Sequence, residues 1–170
     1  MKTSKLILMG LICMIATISA AAQSRSESRN EKKAQTERAV KEAIDSRKYR
    51  INVNRMNPMR GTSRALTTNY SLKVSNDSVY SYLPYFGVAY NIPYGGGKGL
   101  VFSEPITEYK TKELKKGRMQ IDFKTRSEGD NYEYSLTIYP NGSTTIHVQA
   151  SNRQSISYSG DVEVKVSPSR

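Results

Sequence analysis

The chain of 170 residues contains a single cysteine, Cys13, and a single histidine, His147. One thiol cannot form an intramolecular disulfide, and one histidine cannot supply the several ligands of a structural zinc site. Cys13 also lies in a segment that we expect to be removed, so the mature protein has no thiol nucleophile. We therefore predict no metal site and no cofactor, and stability has to come from a packed core.

Long hydrophobic runs are also scarce, and only one occurs, from Leu6 to Ile18. At about 13 residues it is shorter than the roughly 20 that a membrane-spanning helix needs. Two lysines precede it and the small residues Ser19 to Ala22 follow it, which is typical of a cleavable secretory signal. Cys13 lies inside the run and follows Ile12, where a lipoprotein signal has a small residue. We predict a signal peptide over residues 1–22, no lipid anchor and no transmembrane span.

Acidic residues are few, with 15 Asp and Glu against 26 Lys and Arg and a formal net charge of +11. Such an excess favours anionic partners. The signal predicts export to the periplasm or the outer cell envelope, where acidic glycans and lipopolysaccharide are the common anions. We predict one of these, or an envelope protein, as the partner, and no nucleic acid.

The rest of the chain predicts one domain with a short lead-in. Residues 23–30 are polar and lack an apolar period, which predicts a disordered lead-in. Residues 31–170 then suit a single β-rich domain. Within residues 31–46 the apolar side chains repeat at helical spacing, which predicts one amphipathic helix. They are Ala39, Val40, Ala43 and Ile44.

After the helix, apolar and polar residues alternate, which is typical of half-buried strands. The alternating segments are Tyr49 to Val53, Tyr70 to Val74, Val79 to Leu83, Leu100 to Phe102 with a continuation past Pro105 over Ile106 to Thr111, Met119 to Phe123, Tyr132 to Ile138, Ile146 to Ala150, Ile156 to Tyr158 and Val162 to Val166. The turns between them include Asn76–Asp77, Lys115–Gly117, Ser127–Asn131 and Pro140–Gly142. We predict a mainly β (α+β) fold in which about eight antiparallel strands form a sandwich or a partly closed barrel, with the helix packed on it.

Several short strings resemble those of a known family. They are Asn57-Pro58-Met59-Arg60-Gly61, Ser81-Tyr82-Leu83-Pro84-Tyr85-Phe86-Gly87, Ala89-Tyr90, Pro93-Tyr94-Gly95 and Asn152-Arg153-Gln154 with Ile156-Ser157. In this order they resemble the family catalogued as domain of unknown function 4251, and the similarity extends from about Ala39 to Val164. The resemblance implies an exported protein of gut-type anaerobes. It implies no activity and no functional residues.

The segment 80–99 is rich in tyrosine and ends in a glycine-rich stretch. Tyrosine rings offer flat apolar area and a hydroxyl group, which suits a sugar ring or the extended segment of a partner. Alternatively, the tyrosines pack in the core and the glycines only allow a tight loop. A phosphate-binding P-loop is excluded because Gly99 follows Lys98, where that motif requires Ser or Thr. The candidate ligand-binding residues here are Tyr85, Tyr90, Tyr94 and Lys98.

A second candidate is the stretch between Asp45 and Asp77, which contains no acidic residue. Its cations are Arg47, Lys48, Arg50, Arg55, Arg60, Arg64 and Lys73. Arginine forks suit phosphate and carboxylate groups, and we take Arg55, Arg60 and Arg64 as candidate anion-binding residues. Alternatively, the stretch is a solvated surface neutralised by carboxylates of other strands. If either segment is functional, we expect the basic and tyrosine-rich segments to act together on one acidic ligand.

Catalytic patterns are weak. His147 lies on an alternating strand, and Ser143 and Ser151 lack the context of a nucleophile elbow, so we interpret His147 as a surface residue. We therefore expect a non-catalytic binding or interaction module.

Carboxylates supply the two remaining alternatives. The first alternative is a calcium site formed by Glu128, Asp130 and Glu133. Their spacing misses the EF-hand pattern, so we interpret them as residues of a turn. The alternative function is a glycan hydrolase, which requires two carboxylates about 5 to 9.5 Å apart. Its candidates are Glu104, Glu108 and Asp122.

Overall fold

This computed structural model describes residues 29–90 and 99–164, which form one helix and eight strands. Helix α1 spans residues 29–45, so the predicted helix is confirmed and takes in the last two residues of the predicted lead-in. The strands are β1 (Lys48–Pro58), β2 (Arg64–Ser75), β3 (Ser78–Leu83), β4 (Leu100–Leu114), β5 (Arg118–Ser127), β6 (Asp130–Ile138), β7 (Ser143–Ala150) and β8 (Arg153–Val162). The predicted signal peptide lies outside the described residues.

The strands follow one another around a closed barrel in chain order. Each strand pairs antiparallel with the next, and β8 pairs with β1 through partners such as Ile51 and Val162. Pairing of the first and last strands leaves no free sheet edge among the described strands, whereas each sheet of a sandwich retains two. The barrel alternative is therefore the one observed, and the barrel is fully closed.

Strand β4 runs through Pro105 without a break, so the predicted continuation of the Leu100–Phe102 strand past Pro105 is confirmed. Residues Leu100 to Pro105 pair with β3, whereas Ile106 and the residues after it pair with β5. Proline cannot donate a backbone hydrogen bond and is tolerated where ladder pairing changes. One 15-residue strand therefore passes from one neighbour to the other without a break.

One turn prediction and one strand prediction need correction. The turn predicted over Ser127–Asn131 is reduced to Glu128 and Gly129, whose φ angles of 50° and 81° suit the tight hairpin turn that matches strand twist. Asp130 consequently starts β6 and is buried. Val162 is the last residue of β8 and does not begin a separate strand.

Aromatic side chains occupy the inside of the barrel. The rings of Phe123 and Tyr134 stack with centroids 4.8 Å apart, and Tyr134 is buried completely. Burial raises the pKa of the Tyr134 phenol well above its usual value, and its hydroxyl donates a hydrogen bond to Ser81 Oγ at 3.2 Å. The interior is thus a packed core of the kind that a chain without disulfides requires.

The helix contributes to this core at one end of the barrel. Val40 and Ile44 are 3% and 1% exposed, and Val40 lies near Gly142 in the turn between β6 and β7. We call the opposite end, where β1, β3, β5 and β7 finish, the distal end. Arg55, Arg60, Arg64 and residues 84–90 lie at this end.

The chain divides into two compact units at Gln35 and Thr36. The described residues of the first unit, 29–35, are helical and exposed. The second unit contains the barrel and residues 36–45 of α1. Among the described residues, no helix combines the length and the apolar character needed to cross a membrane.

Candidate functional site

Residues 84–90, which we call the cover segment, lie across the start of β8 at the distal end. The amide of Tyr90 donates to the carbonyl of Asn152 at 2.8 Å, and the amide of Gln154 donates to the carbonyl of Val88 at 3.0 Å. The hydroxyl of Tyr158, inside the barrel, donates to the carbonyl of Pro84 at 2.6 Å. These bonds hold the segment across the end of the core.

A buried ion pair lies in the same region. Arg153 Nε is 3.6 Å from Asp130 Oδ2, and each side chain is only 7% exposed. Arg153 Nη1 donates to the carbonyl of Gly99 at 3.2 Å, whereas its Nε finds no hydrogen-bond acceptor among the described residues. The backbone amide of Asn152 donates to Asp130 Oδ1 at 3.2 Å. Asp130 is therefore an ion-pair partner inside the barrel end, and its interpretation as turn chemistry is wrong.

Tyr85, a predicted ligand-binding residue, is half-buried and holds the cover segment in place. Its hydroxyl lies 3.0 Å from the carbonyls of both Val88 and Gln154, and the Arg153 guanidinium lies 5.5 Å from its ring centroid. Burial raises the pKa of Tyr85, and the Arg153 cation opposes part of this rise. Tyr85 therefore has a clear structural role, and its phenol stays protonated at neutral pH.

The outward side of the cover segment is apolar and aromatic. Phe86, Val88 and Tyr90 are 47%, 51% and 70% exposed. Tyr90, another predicted ligand-binding residue, is thus open to solvent. Tyr94 and Lys98 lie outside the described residues.

The three predicted anion-binding arginines lie at this same end. Arg55 is near the end of β1, Arg60 is in the following loop, and Arg64 begins β2; all three are exposed. Arg55 Nη1 donates to Ser63 Oγ at 3.4 Å. None of the ion pairs between described residues includes any of the three arginines, so their charges are free of a carboxylate partner there.

The basic and aromatic segments meet through Arg64 and Phe86. The guanidinium carbon of Arg64 lies 4.2 Å from the centroid of the Phe86 ring, within the range of a cation–π contact. This contact joins residues that are far apart in sequence. The other cations of the basic stretch lie elsewhere, because Arg47 pairs with Asp77 at 3.3 Å and Lys73 contacts Tyr80 on the side of the barrel.

The carboxylates of the hydrolase alternative occupy different positions. Glu108 and Asp122 line one groove of about 230 Å³ on the outer face of β4 to β7. Lys110 and Lys124 form ion pairs with Glu108 and lower the pKa of its carboxyl group. Glu104 instead accepts a hydrogen bond from Ser127 Oγ at 3.1 Å. Catalysis by any of these carboxylates stays a prediction.

His147 lines the same groove and is exposed, as the alternation predicts. Its Nδ1 lies 3.0 Å from Ser157 Oγ, while Ser135 Oγ donates to Asp122 at 2.6 Å. The serine that binds the carboxylate is therefore different from the serine that contacts histidine. This arrangement differs from a triad, in which histidine connects one serine to the acid.

Sequence reasoning missed Arg153 and the role of Asp130. The alternation of β6 did indicate a buried Asp130, because it lies two and four residues before the inward-facing Tyr132 and Tyr134. The burial of Arg153 could not be predicted from alternation. The register between β7 and β8 shifts between Val148 and Ala150, so the alternation of buried and exposed residues is interrupted near Arg153.

Comparison with known proteins identifies the family. Residues 31–162 match the family model described as Domain of unknown function (DUF4251). A crystal structure of a DUF4251 family protein from Bacteroides eggerthii DSM 20697 superimposes with a TM-score of 0.59 at 18% identity, covering 76% of this chain and 87% of that one. No curated protein matches the sequence. The strings noted in the sequence lie within the matched range, and the chain belongs to the DUF4251 family.

Proposed function

We propose that this protein is a non-catalytic binding module of the cell envelope that holds an anionic ligand at the distal end of the barrel. The observation that carries the proposal is the contact between Arg64 and the half-exposed ring of Phe86. It unites a cationic and an aromatic surface, which sequence reasoning expected to act together on one ligand. Charge supplies attraction, and ring faces supply apolar contact area.

Several arginines are needed for such a site. One solvent-exposed charge pair contributes only about 0 to 1 kcal/mol and is screened by salt. Three arginines without carboxylate partners among the described residues, Arg55, Arg60 and Arg64, supply a local positive field. Guanidinium groups bind phosphate and carboxylate in a two-pronged geometry. The ligand chemistry is therefore an oxyanion, carried by an acidic glycan or by a phosphorylated lipid such as lipopolysaccharide.

The test uses two probes that separate these sources: a sulfated heparin oligosaccharide, and vesicles of phosphatidylcholine with and without phosphatidylglycerol. Binding is measured against salt concentration for wild type and for a distal variant, R55S/R60S/R64S. We expect the distal variant to bind at least tenfold more weakly and with a shallower salt dependence. Tyr90→Ala should weaken binding without changing the salt dependence.

The matched control removes the same charge from the helix end of the barrel. Its substitutions are K112S, K115S and K116S, all at exposed lysines. If the control variant loses as much affinity as the distal variant, binding follows net charge and the distal site is refuted. If neither probe binds wild type at physiological salt, the proposal also fails.

A further inference from the structure

A polar groove of about 460 Å³ lies on the outside of the barrel over β1, β2 and β8, apart from the distal arginines. This volume lies within the range of small-molecule sites, roughly 300 to 1,000 Å³. Its lining is mostly hydroxyl, amide and charged side chains. The lining residues are Arg50, Asn52, Val53, Asn54, Leu66, Thr67, Thr68, Asn69, Tyr70 and Asp161.

The groove is created by an irregularity in strand pairing. Val53 pairs with Tyr70 and Arg55 pairs with Ala65, so Asn54 alone faces the four residues 66–69 of β2. The register with β8 shifts at the same position of β1. A bulge bends a strand and redirects its side chains, and bulges are common beside binding sites. Here it adds residues 66–69 of β2 to the lining of the groove.

The polar groups of this surface are largely free to bind a ligand. Asn54 Nδ2 donates to Asp161 Oδ2 at 3.2 Å, which leaves Asn54 Oδ1 and Asp161 Oδ1 as acceptors. Asn52 stands between Asp161 and Ser71 on the neighbouring strands. The side chains of Asn52 and Asn69 make no hydrogen bond within residues 29–90 and 99–164. An asparagine amide both donates and accepts, as a sugar hydroxyl does.

Charge and ring placement define the ligand class further. The groove contains one cation, Arg50, and one anion, Asp161, so its lining carries no net charge. An uncharged ligand rich in hydroxyl groups matches this balance better than an anion does. Tyr70 lies at the groove and contacts the exposed ring of Tyr82, with ring centroids 5.3 Å apart. An aromatic edge beside amide groups suits a pyranose, which has an apolar face and a polar rim.

We propose that this groove is a second binding site, which takes an uncharged sugar unit. The amides of Asn52 and Asn69 and the carboxylate of Asp161 bind its hydroxyl groups, and Tyr70 contacts its ring. None of the three distal arginines is among the lining residues, so the proposal is tested separately from the proposed anion-binding function.

The test follows backbone amide signals by NMR while neutral disaccharides are added to the full chain. The probes are maltose, cellobiose and N,N′-diacetylchitobiose, and sorbitol serves as a polyol without a ring. We expect at least one disaccharide to shift the amides of Asn52, Thr67 and Asn69, and sorbitol to leave them unchanged. N52A/N69A should weaken binding by about 25-fold, since each of the two lost hydrogen-bonding groups contributes about fivefold.

Asn131→Ala is the matched control, because Asn131 is an exposed strand asparagine outside the groove. It should bind the disaccharide as wild type does, and so should R55S/R60S/R64S. The proposal is overturned if no disaccharide shifts the groove amides, if sorbitol shifts them equally, or if N52A/N69A binds like wild type. Loss of disaccharide binding in the arginine variant would also overturn it, because the groove and the distal end would then be one site.

Discussion

The guanidinium group of Arg153 and the carboxylate of Asp130 form an ion pair beneath the cover segment, with 3.6 Å between Nε and Oδ2. Removing one partner of a buried pair leaves an uncompensated charge, which typically costs about 3 to 5 kcal/mol. We expect Arg153→Leu to reduce the free energy of unfolding in urea by that amount. The double variant R153L/D130N should recover part of the loss, because it buries no charge.

The control for this experiment is Asp77→Asn, which removes the exposed ion pair between Asp77 and Arg47. Exposed pairs contribute about 0 to 1 kcal/mol, so this change should be small. Equal stability of Arg153→Leu and the control would refute a stabilising role for the buried pair.

Gly160 allows β1 and β8 to approach where the barrel closes. A Cβ atom at this position would lie 2.9 Å from both Asn52 C and Val53 Cα, and closer still to the carbonyl oxygen of Asn52. Since these are backbone atoms, they cannot rotate away. We expect Gly160→Ala to destabilise the protein by about 1 to 3 kcal/mol, as overpacking does, in the same urea measurement.

Gly129→Ala is the comparison, because a Cβ there meets no atom within 4 Å and only the positive φ of 81° opposes it. It should cost about 1 kcal/mol. If Gly160→Ala is the milder of the two, the strands at the closure can separate more easily than the contacts indicate.

The buried tyrosines predict alkaline unfolding. Burial raises the pKa of Tyr134 and of Tyr158 in the folded protein above the usual tyrosine value of about 10. Their contribution to stability is therefore complete below about pH 10 and is lost as pH rises above that value. We expect unfolding by circular dichroism to coincide with phenolate absorbance in this range.

Tyr134→Phe tests whether ionisation of Tyr134 contributes to the alkaline unfolding. It should lower stability at neutral pH by about 0.5 to 1.5 kcal/mol, because the hydrogen bond to Ser81 is lost, yet move the alkaline midpoint upward. Tyr139→Phe removes an exposed phenol and controls for the substitution itself. An unchanged or lower alkaline midpoint in Tyr134→Phe would contradict the prediction.

Chelators should leave the thermal midpoint unchanged. Within residues 29–90 and 99–164 no group of three or more His, Cys, Asp or Glu side chains is placed to hold a metal ion. Asp130, one of the three carboxylates that miss the EF-hand spacing, is occupied by Arg153 and Asn152. A midpoint that falls by many degrees in EDTA would reveal an oxygen-ligand metal site. Adding back calcium or magnesium separately would identify it.

The predicted signal peptide implies a defined N-terminus for the mature protein. The small residues before Gln23 suit signal peptidase, so the secreted protein should begin at or near Gln23 and carry no lipid. Intact-mass spectrometry of periplasmic protein decides this. A mass that includes Cys13 with a diacylglycerol group would overturn both parts of the prediction.

The sequence predicts the strands well because each strand has one buried face, so its alternation is a local property. Strand β6 is an example, with Tyr132, Tyr134, Leu136 and Ile138 all buried. Closure of the barrel, by contrast, depends on residues far apart in the sequence. Whether eight strands form a barrel or two sheets depends on strand tilt and on the pairing of Ile51 with Val162, which no short window of sequence encodes.

The candidate site was predictable in part. The arginine-rich stretch and the aromatic segment are both visible by composition, but their meeting at Arg64 and Phe86 depends on how the cover segment folds back over the barrel end. The polar groove was not predictable, because it depends on the four residues of β2 that face Asn54. Thr67, Thr68 and Asn69 carry no sequence signal of such a bulge.

Pairing between β1 and β8 also sets the order in which the barrel can form. A polypeptide emerges from the ribosome with its N-terminus first, so β1 is made long before its partner and has an unpaired edge until β8 follows. Joining the two strands closes a loop that contains all the others, and such distant contacts slow folding. An unpaired edge is also prone to aggregation. The barrel can therefore close only after β8 has been synthesised. Until then, the incomplete chain has to avoid aggregation through the unpaired edge of β1.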